Sequence, residues 1–322
     1  MRYLAGIDIG GTKCAVILGK ETDSKEMDIL DKVKFPTPGQ PEQAVGQLAD
    51  ALETLLGRHP RAVPEAVGIS CGGPLDAEKG LVLSPPNLPG WDRVNILAPF
   101  RERFHVPAYL QNDANACALA EWRWGAGRGT RNMVFLTFGT GLGAGLILNG
   151  KLYGGADDMA GEVGHVRLES SGPWGYGKQG SFEGFCSGGG IAGYGQERVR
   201  AYAREGLATL LLEERDRIED ITAEDIADAA LRGDRLALAV MEHAGRMLGR
   251  GLAMLVDILN PERIVIGSIF LRQEKLLRGP MEEEMDREAL EINRRSCRVV
   301  PAGLGEQIGD YAALSVAAAG AQ

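Results

Sequence analysis

The sequence predicts an α/β protein built from two similarly wired halves. Three observations carry that expectation. Apolar runs of strand length alternate with helix-length segments of 3.6-residue spacing. Glycine turns sit at the strand ends. A strand–glycine turn–strand opening at Tyr3–Gly19 recurs at Asn132–Leu148, which reads as a weak internal duplication.

Taken in order, Tyr3–Gly10 and Cys14–Gly19 flank GGTK as two strands of a hairpin, and Lys25–Lys34 adds a third. Pro41–Arg58 is helical in the spacing of Ala44, Leu48, Ala51, Leu52 and Leu55. Ala66–Cys71 is a buried strand broken by Gly72-Gly73-Pro74; Gly80–Leu83 is another, before the turn-rich SPPNLPGW. Val106–Leu110 is a strand entering a helix over Asn112–Trp124, with Asn112 or Asp113 at the cap. Asn132–Phe138 and Leu142–Leu148 form the second hairpin. Beyond it, helices are expected over Gly190–Glu205, Thr222–Leu231 and Arg235–Leu259, the last stopped by Asn260-Pro261. Arg263–Ile266 is a strand, Glu274–Asn293 an acidic helix, Arg298–Val300 a strand and Asp310–Ala321 an alanine-rich final helix.

Composition narrows the function classes. The chain has 322 residues, 44% of them hydrophobic, enough for a sizeable core. Its net charge is −9, and the Lys and Arg residues are dispersed, so no basic face for nucleic acid is expected. The same acidity disfavours anionic membranes but not a small anion held by glycine amides. Five widely spaced cysteines without a CxxC pair fit reduced thiols of a cytoplasmic protein. Met1 leads straight into a strand rather than a signal peptide, and no apolar run reaches membrane-spanning length.

The first turn, Asp8-Ile9-Gly10-Gly11-Thr12-Lys13, can present backbone N–H groups, the Thr12 hydroxyl and the Lys13 charge to an anion. Asp8 can hold a magnesium-bound water beside it. A plain hairpin with Gly-Gly at its tip explains the same residues. The second turn changes that balance. Thr137–Gly145 places glycine at 139, 141, 143 and 145, with Thr140 placed like Thr12. Neither is a Walker phosphate loop. Two matching turns that clamp one polyphosphate resemble the ATPase superfamily of actin, heat-shock chaperones and sugar kinases.

Two further stretches carry chemistry. Asp113 lies at a strand-to-helix junction, where the helix dipole favours an ionised carboxylate able to take a proton from a hydroxyl. Asn112 or Asp113 can equally serve as a helix cap, and the roles are compatible. Ala160–Gly188 gathers Glu162, His165 and Glu183 among glycines and aromatics. That set can grip hydroxyls or a metal; a solvated loop with charged tips is the plainer alternative.

DIGGTK, Gly72-Gly73-Pro74, PNLPGW, NDANACALAE, TFGTGLGAGLILNGKLYGG and GEVGH occur in that order. Together they resemble the ROK family of bacterial sugar kinases and repressors, over essentially the whole chain. The resemblance implies an actin-like (ribonuclease H-like) duplicated fold with two lobes and a central cleft. The expected lobes are residues 1–112, with helix 310–322 packing back on them, and residues 113–309. It implies ATP-dependent phosphorylation of a hexose hydroxyl, most often O6, with glucose first and Asp113 as base. N-acetylmannosamine, N-acetylglucosamine, fructose and allose are alternative substrates of such kinases. By the same resemblance Asn112, Glu162, His165 and Glu183 bind sugar hydroxyls, and Gly73 and Asn87 line the sugar pocket. Asp8, Gly10, Gly11, Thr12, Lys13, Thr140 and Gly141 face ATP phosphates and Mg²⁺, and Gly267 lies near adenosine. A homodimer is expected.

The sequence departs from the family in three places. Where many members carry CxCGxxGC and a structural zinc, this chain has Trp174, Tyr176 and Ser181 at the cysteine positions, so no zinc is expected. Packing of Trp174, Tyr176, Phe182 and Phe185 is the compensation the sequence offers. Gly267-Ser268-Ile269 stands where consecutive glycines are usual, and Ser315 where glycine is frequent. ROK repressors carry a helix-turn-helix before the first turn. Here that turn starts at Asp8, so a repressor is not expected. A sugar-binding protein without catalysis is the remaining alternative.

Overall fold

The computed structural model describes residues 1–321. Gln322, at the end of the expected final segment, lies outside them. The chain divides into two compact units: Met1–Arg131 with Gly145–Ala160 and Gly303 onward, and Asn132–Ala144 with Gly161–Ala302.

In chain order the main elements are β1 (Arg2–Ile9), β2 (Lys13–Glu21), β3 (Met27–Pro36), α1 (Pro41–Arg58), β4 (Pro64–Cys71), α2 (Leu97–Phe104), β5 (Ala108–Asn112) and α3 (Asp113–Trp124). There follow β6 (Met133–Phe138), β7 (Leu142–Leu148), β8 (Lys151–Leu152), α4 (Gly188–Glu205), α5 (Ala223–Leu231), α6 (Arg235–Leu259), β9 (Arg263–Ile266), α7 (Ile269–Glu288), β10 (Arg298–Pro301) and α8 (Ile308–Gly320). The first sheet has the order β3-β2-β1-β4-β5, the second β8-β7-β6-β9-β10. Both therefore follow one plan: three strands in meander order, then two more added on the far side of the first. In the first sheet β1–β2 and β2–β3 are antiparallel, whereas β1–β4 and β4–β5 are parallel. In the second, β6–β9 and β9–β10 are parallel. The duplication expected from the two hairpins is thus written into the strand order.

Each face of the first sheet is covered because its strands are apolar on both sides. On one face, α1 contributes Ala44, Leu48, Leu52 and Leu55 to a cluster with Ile7, Val16 and Ile69. On the other, Leu4, Ala15 and Ala66 meet Ala313, Leu314 and Ala317 of α8. Glycine permits that second contact. A Cβ on Gly68 would fall 2.2 Å from Ala317 N and 2.3 Å from Ala313 O. Ser315 is fully buried, and its hydroxyl donates to Ala116 O of α3 at 3.0 Å. The serine thus adds a hydrogen bond between helices, where only a packing change was expected.

A buried carboxylate closes this unit. Glu121 of α3 is 0% exposed. It accepts the N–H groups of Ala126 (2.7 Å), Gly303 (3.0 Å) and Leu304 (2.9 Å). It therefore fixes both the end of α3 and the segment that leads into α8.

In the second unit α6 starts at Asp234, whose carboxylate accepts Ala237 N–H at 2.9 Å, and ends at Asn260 with φ 45° before Pro261. Gly249 lets α7 approach, since a Cβ there would lie 2.3 Å from Met281 O. The single acidic helix expected over Glu274–Asn293 is instead α7, starting at Ile269, and a short helix Glu291–Ser296. Helix α2 was not legible, because Pro99 sits in its first turns; Asn95 caps it by accepting Leu97 and Ala98 N–H at 3.2 and 3.1 Å. All five cysteines are free thiols, four of them buried, in line with the expectation.

Glu121→Ala would remove the fully buried carboxylate that accepts the N–H groups of Ala126, Gly303 and Leu304. We expect a loss of about 2–5 kcal/mol of unfolding free energy, read by denaturant titration. A loss below about 0.5 kcal/mol would show that Glu121 is not structural.

Candidate active site

In the first unit the expected residues come together where strands end. Strand β5 stops at Asn112 and α3 begins at Asp113. Asn112 Oδ1 accepts Ala114 N–H at 2.9 Å, and Asp113 Oδ1 accepts the same group at 2.8 Å. Asn112 is therefore the cap, and its amide faces the Gly72-Gly73 turn: a Cβ on Gly73 would lie 3.1 Å from Asn112 Nδ2. The β1–β2 turn is a tight hairpin tip in which Gly10 N–H donates to Lys13 O at 3.1 Å. Gly11, Thr12 and Lys13 are exposed. Neither Gly10 nor Gly11 adopts positive φ, so the tip does not use the conformational freedom of glycine. Gly11 serves close approach instead, since a Cβ there would fall 2.7 Å from Asn87 O. Asn87 thus sits against the first glycine turn.

Charge is crowded at the same place. Burial pushes the Asp8 carboxyl up to about 7, and the charges of Asp113 and Asp310 add to the rise; Lys32 and Lys34 oppose it. Lys32 is ion-paired to the buried Asp310, and burial nonetheless lowers its pKa. Asp113 keeps a solvent-accessible surface, yet the protein around it raises its pKa, against the lowering by the N–H groups of Ala114 and its own backbone. The sequence-level expectation that the helix start keeps Asp113 readily ionised is corrected here: desolvation outweighs the local N–H donors. Asp310 carries no sequence motif and was missed. Only the return of α8 to this sheet places it there.

In the second unit the β6–β7 turn is closed by Gly139 N–H donating to Gly141 O at 3.1 Å, with Thr140 exposed. Glu183 reaches this turn. Its Oε2 accepts Leu142 N–H at 3.0 Å, and a Cβ on Gly141 would lie 2.8 Å from the same oxygen. The expected sugar-clamp glutamate and the second glycine turn are therefore one connected piece. Glu162 precedes the turn Val163–His165, and both Glu162 and His165 are exposed. His165 is not a core histidine; its ring meets Tyr176 edge-on at 6.5 Å, and its carbonyl accepts Lys178 Nζ at 2.7 Å.

The loop's support differs from the aromatic packing expected. Phe182 and Phe185 are 1% and 5% exposed, but Trp174 and Tyr176 are 68% and 74% exposed. The latter two sit on a short hairpin and cannot repay a lost metal by burial. The support comes from other residues. Ser181, at a family cysteine position, is fully buried and caps the turn Phe182–Phe185 by accepting Gly184 N–H at 3.1 Å. Phe182 occupies the space over Gly251, where a Cβ would be 2.3 Å from its ring. Arg250 joins the loop's Glu169 to Glu284, the latter at 3.0 Å. The donor set does not fit a tetrahedral zinc: Ser181 is engaged as a cap and no thiolate stands beside His165. Among the described residues no group of three or more His, Cys, Asp or Glu side chains can hold a metal.

Gly267 is buried at the end of β9. The next residue, Ser268, adopts φ 51° and ψ −112°, a region that favours glycine. Its hydroxyl faces Gly139, whose Cβ would stand 3.4 Å from Ser268 Oγ. The departure from consecutive glycines thus carries strain beside the second turn.

The ROK family model matches residues 4–319, and the chain belongs to the ROK family. A glucokinase of Halalkalibacterium halodurans is 34% identical over 90% of this chain and 87% of its own. The crystal structure of a ROK family glucokinase from Streptomyces griseus, in complex with glucose and AMPPNP, is 31% identical, with TM-score 0.77 over 98% of this chain and 99% of that one. A xylose repressor of Caldicellulosiruptor bescii is 31% identical over 82% of this chain and 65% of its own length. The fold is the two-lobed actin-like ATPase fold of this family. No helix among the described residues is long and apolar enough to cross a membrane.

Two outcomes follow. Asp8 holds its proton to about pH 7 when folded but only to about 3.8 when unfolded. Over that window the folded state binds more protons, so stability falls as pH rises. Asp8→Asn should flatten this fall in pH-dependent melts of the ligand-free protein; an unchanged slope would refute the assignment. Ser268→Gly should raise stability by about 1 kcal/mol by releasing backbone strain, and a destabilised variant would contradict it.

Proposed function

We propose that this chain is an ATP-dependent hexose kinase, with glucose as the first substrate to test and O6 as the acceptor. The observation that carries the reading is Asp113. It is an accessible carboxylate whose pKa is raised by its surroundings, at the strand–helix junction beside Asn112, Gly73 and Asp8. A base with a raised pKa takes a hydroxyl proton more effectively near neutral pH. The similarity to a glucokinase solved with glucose and AMPPNP supports the substrate pair.

Asp113 accepts the proton of the sugar hydroxyl as its oxygen attacks the γ-phosphorus in line, and ADP leaves. Asn112, Glu162, His165 and Glu183 hold the remaining hydroxyls, with Gly73 and Asn87 leaving room for the ring. The two glycine turns, with Thr12, Lys13 and Thr140, face the phosphates. Asp8 is a hard oxygen donor near the first glycine turn, the type of group that suits Mg²⁺ carried with ATP. Mg²⁺, when bound, neutralises charge on the transferred group. Asp8 would hold it, directly or through water, and Gly267 would border the adenosine. N-acetylmannosamine, N-acetylglucosamine and fructose belong to the same proposal as alternative acceptors. So do a cytoplasmic location, a homodimer and the absence of structural zinc.

Asp113→Asn should lower kcat by about 10²-fold or more while sugar affinity changes by less than about threefold. A fully active variant would refute Asp113 as base. Metal analysis of the purified protein should find no stoichiometric zinc, and EDTA should leave the melting temperature unchanged. A chelator-sensitive fold would overturn the zinc-free reading.

A further inference from the structure

The first unit contains a cavity of about 540 Å³ away from the motifs above. It is formed by Arg2 at the start of β1, Glu21 at the end of β2, Lys25 in the following turn, and Trp122, Arg123 and Trp124 at the end of α3. The volume lies in the range of small-molecule sites.

Its wall has a definite chemistry. Three basic residues and one acidic residue line it. Arg2 is ion-paired to Glu21, which leaves Arg123 and Lys25 in excess. Arg123 donates through one terminal nitrogen to Ala318 O at 3.3 Å, but its Nε is buried without a hydrogen-bond partner. A buried guanidinium N–H without an acceptor costs free energy that an oxyanion would recover. Burial lowers the Arg123 pKa, the Glu21 charge raises it and the Arg2 charge lowers it again, consistent with a cation short of an anion.

The two indoles complete the picture. Trp122 Nε1 donates to Thr130 O at 2.7 Å and Trp124 Nε1 to Lys25 O at 3.1 Å. Both N–H groups are therefore spent on backbone. Trp124 is buried, with Tyr311 at 5.9 Å and the Arg123 guanidinium over its ring at 5.9 Å, which leaves the half-buried Trp122 ring as the apolar surface for an occupant. Flat or ring-shaped bodies suit such a wall, and the guanidinium and ammonium suit the oxygens of a phosphate or carboxylate.

We infer that this cavity binds a small ring-bearing oxyanion, a phosphorylated sugar or an aromatic carboxylate, at a site separate from Asp113. The two sources share one chemistry, an oxyanion on a ring, and are separated by the probes. The site and Asp113 lie at opposite ends of the same 12-residue helix, a span of about 17 Å at the usual rise.

The test is direct binding, so its outcome is independent of the kinase reading. Glucose 6-phosphate, phenylacetate and inorganic phosphate are titrated separately into full-length protein by calorimetry, and tryptophan fluorescence is recorded in parallel. A ring-bearing probe should bind saturably and more tightly than inorganic phosphate. Arg123→Lys, which keeps the charge but removes the Nε–H, and Lys25→Gln should each weaken it about tenfold or more. Both variants are checked for an unchanged melting temperature, and Lys25 is exposed, so at least that variant should fold. To separate this cavity from the proposed sugar site, the titration is repeated in saturating glucose, which should leave binding at the cavity unchanged and would abolish binding at the sugar site. The inference is overturned if neither ring-bearing probe binds, if inorganic phosphate binds as tightly, or if binding survives both cavity substitutions.

Discussion

The first unit depends on a crowding of carboxylates that would repel one another if all were charged. Asp8 stands at the end of β1, Asp113 at the start of α3 and Asp310 in α8. One ion pair, Lys32 with Asp310, offsets part of that charge. A proton offsets a further part: Asp8 is pushed to about 7. Three elements must converge for this to occur, and glycine makes the convergence possible. Gly68 lets α8 lie on the sheet, and Glu121 fixes the segment that leads into it. An electrostatically strained site is thus held by apolar burial and by one well-satisfied buried carboxylate. A neighbouring cation would relieve that repulsion, and shifted pKa values of this kind cluster where catalytic groups sit.

Much of this was legible in the sequence. The two hairpins announced the duplicated sheet order, and NDANACALAE placed Asp113 at a helix start with Asn112 as its cap. Local rules suffice there, because capping and periodicity act over a few residues. What stayed hidden depends on distant contacts. Asp310 joins the cluster only through the packing of α8. Gly11 looked like a phosphate-loop glycine, yet its lack of a Cβ is required by Asn87. Glu121 lies inside a quoted motif, but its three N–H donors come from segments beyond the helix. Helix α2 was concealed by Pro99. Desolvation of Asp113 is a property of the folded surroundings that a sequence does not contain.

The loop Ala160–Gly188 is held by capping, burial and ion pairing. Ser181 caps a short helix, Phe182 fills the space over Gly251, and Arg250 ties Glu169 to Glu284. These are ordinary interactions, each modest, spread across capping, burial and ion pairing. Trp174 and Tyr176 take no part in the burial and remain at the surface. Glu183 links this loop to the second glycine turn through Leu142. Any movement of this loop would therefore be felt by the second glycine turn.

The most direct measurement of the central claim is sugar-dependent formation of ADP by the wild-type protein. Purified enzyme is supplied with Mg·ATP and a panel of hexoses, glucose first, and both ADP and the phosphorylated sugar are quantified. The account predicts stoichiometric ADP and sugar phosphate with at least one hexose and none without sugar. Saturable binding of a hexose together with no transfer to any member of the panel would contradict it.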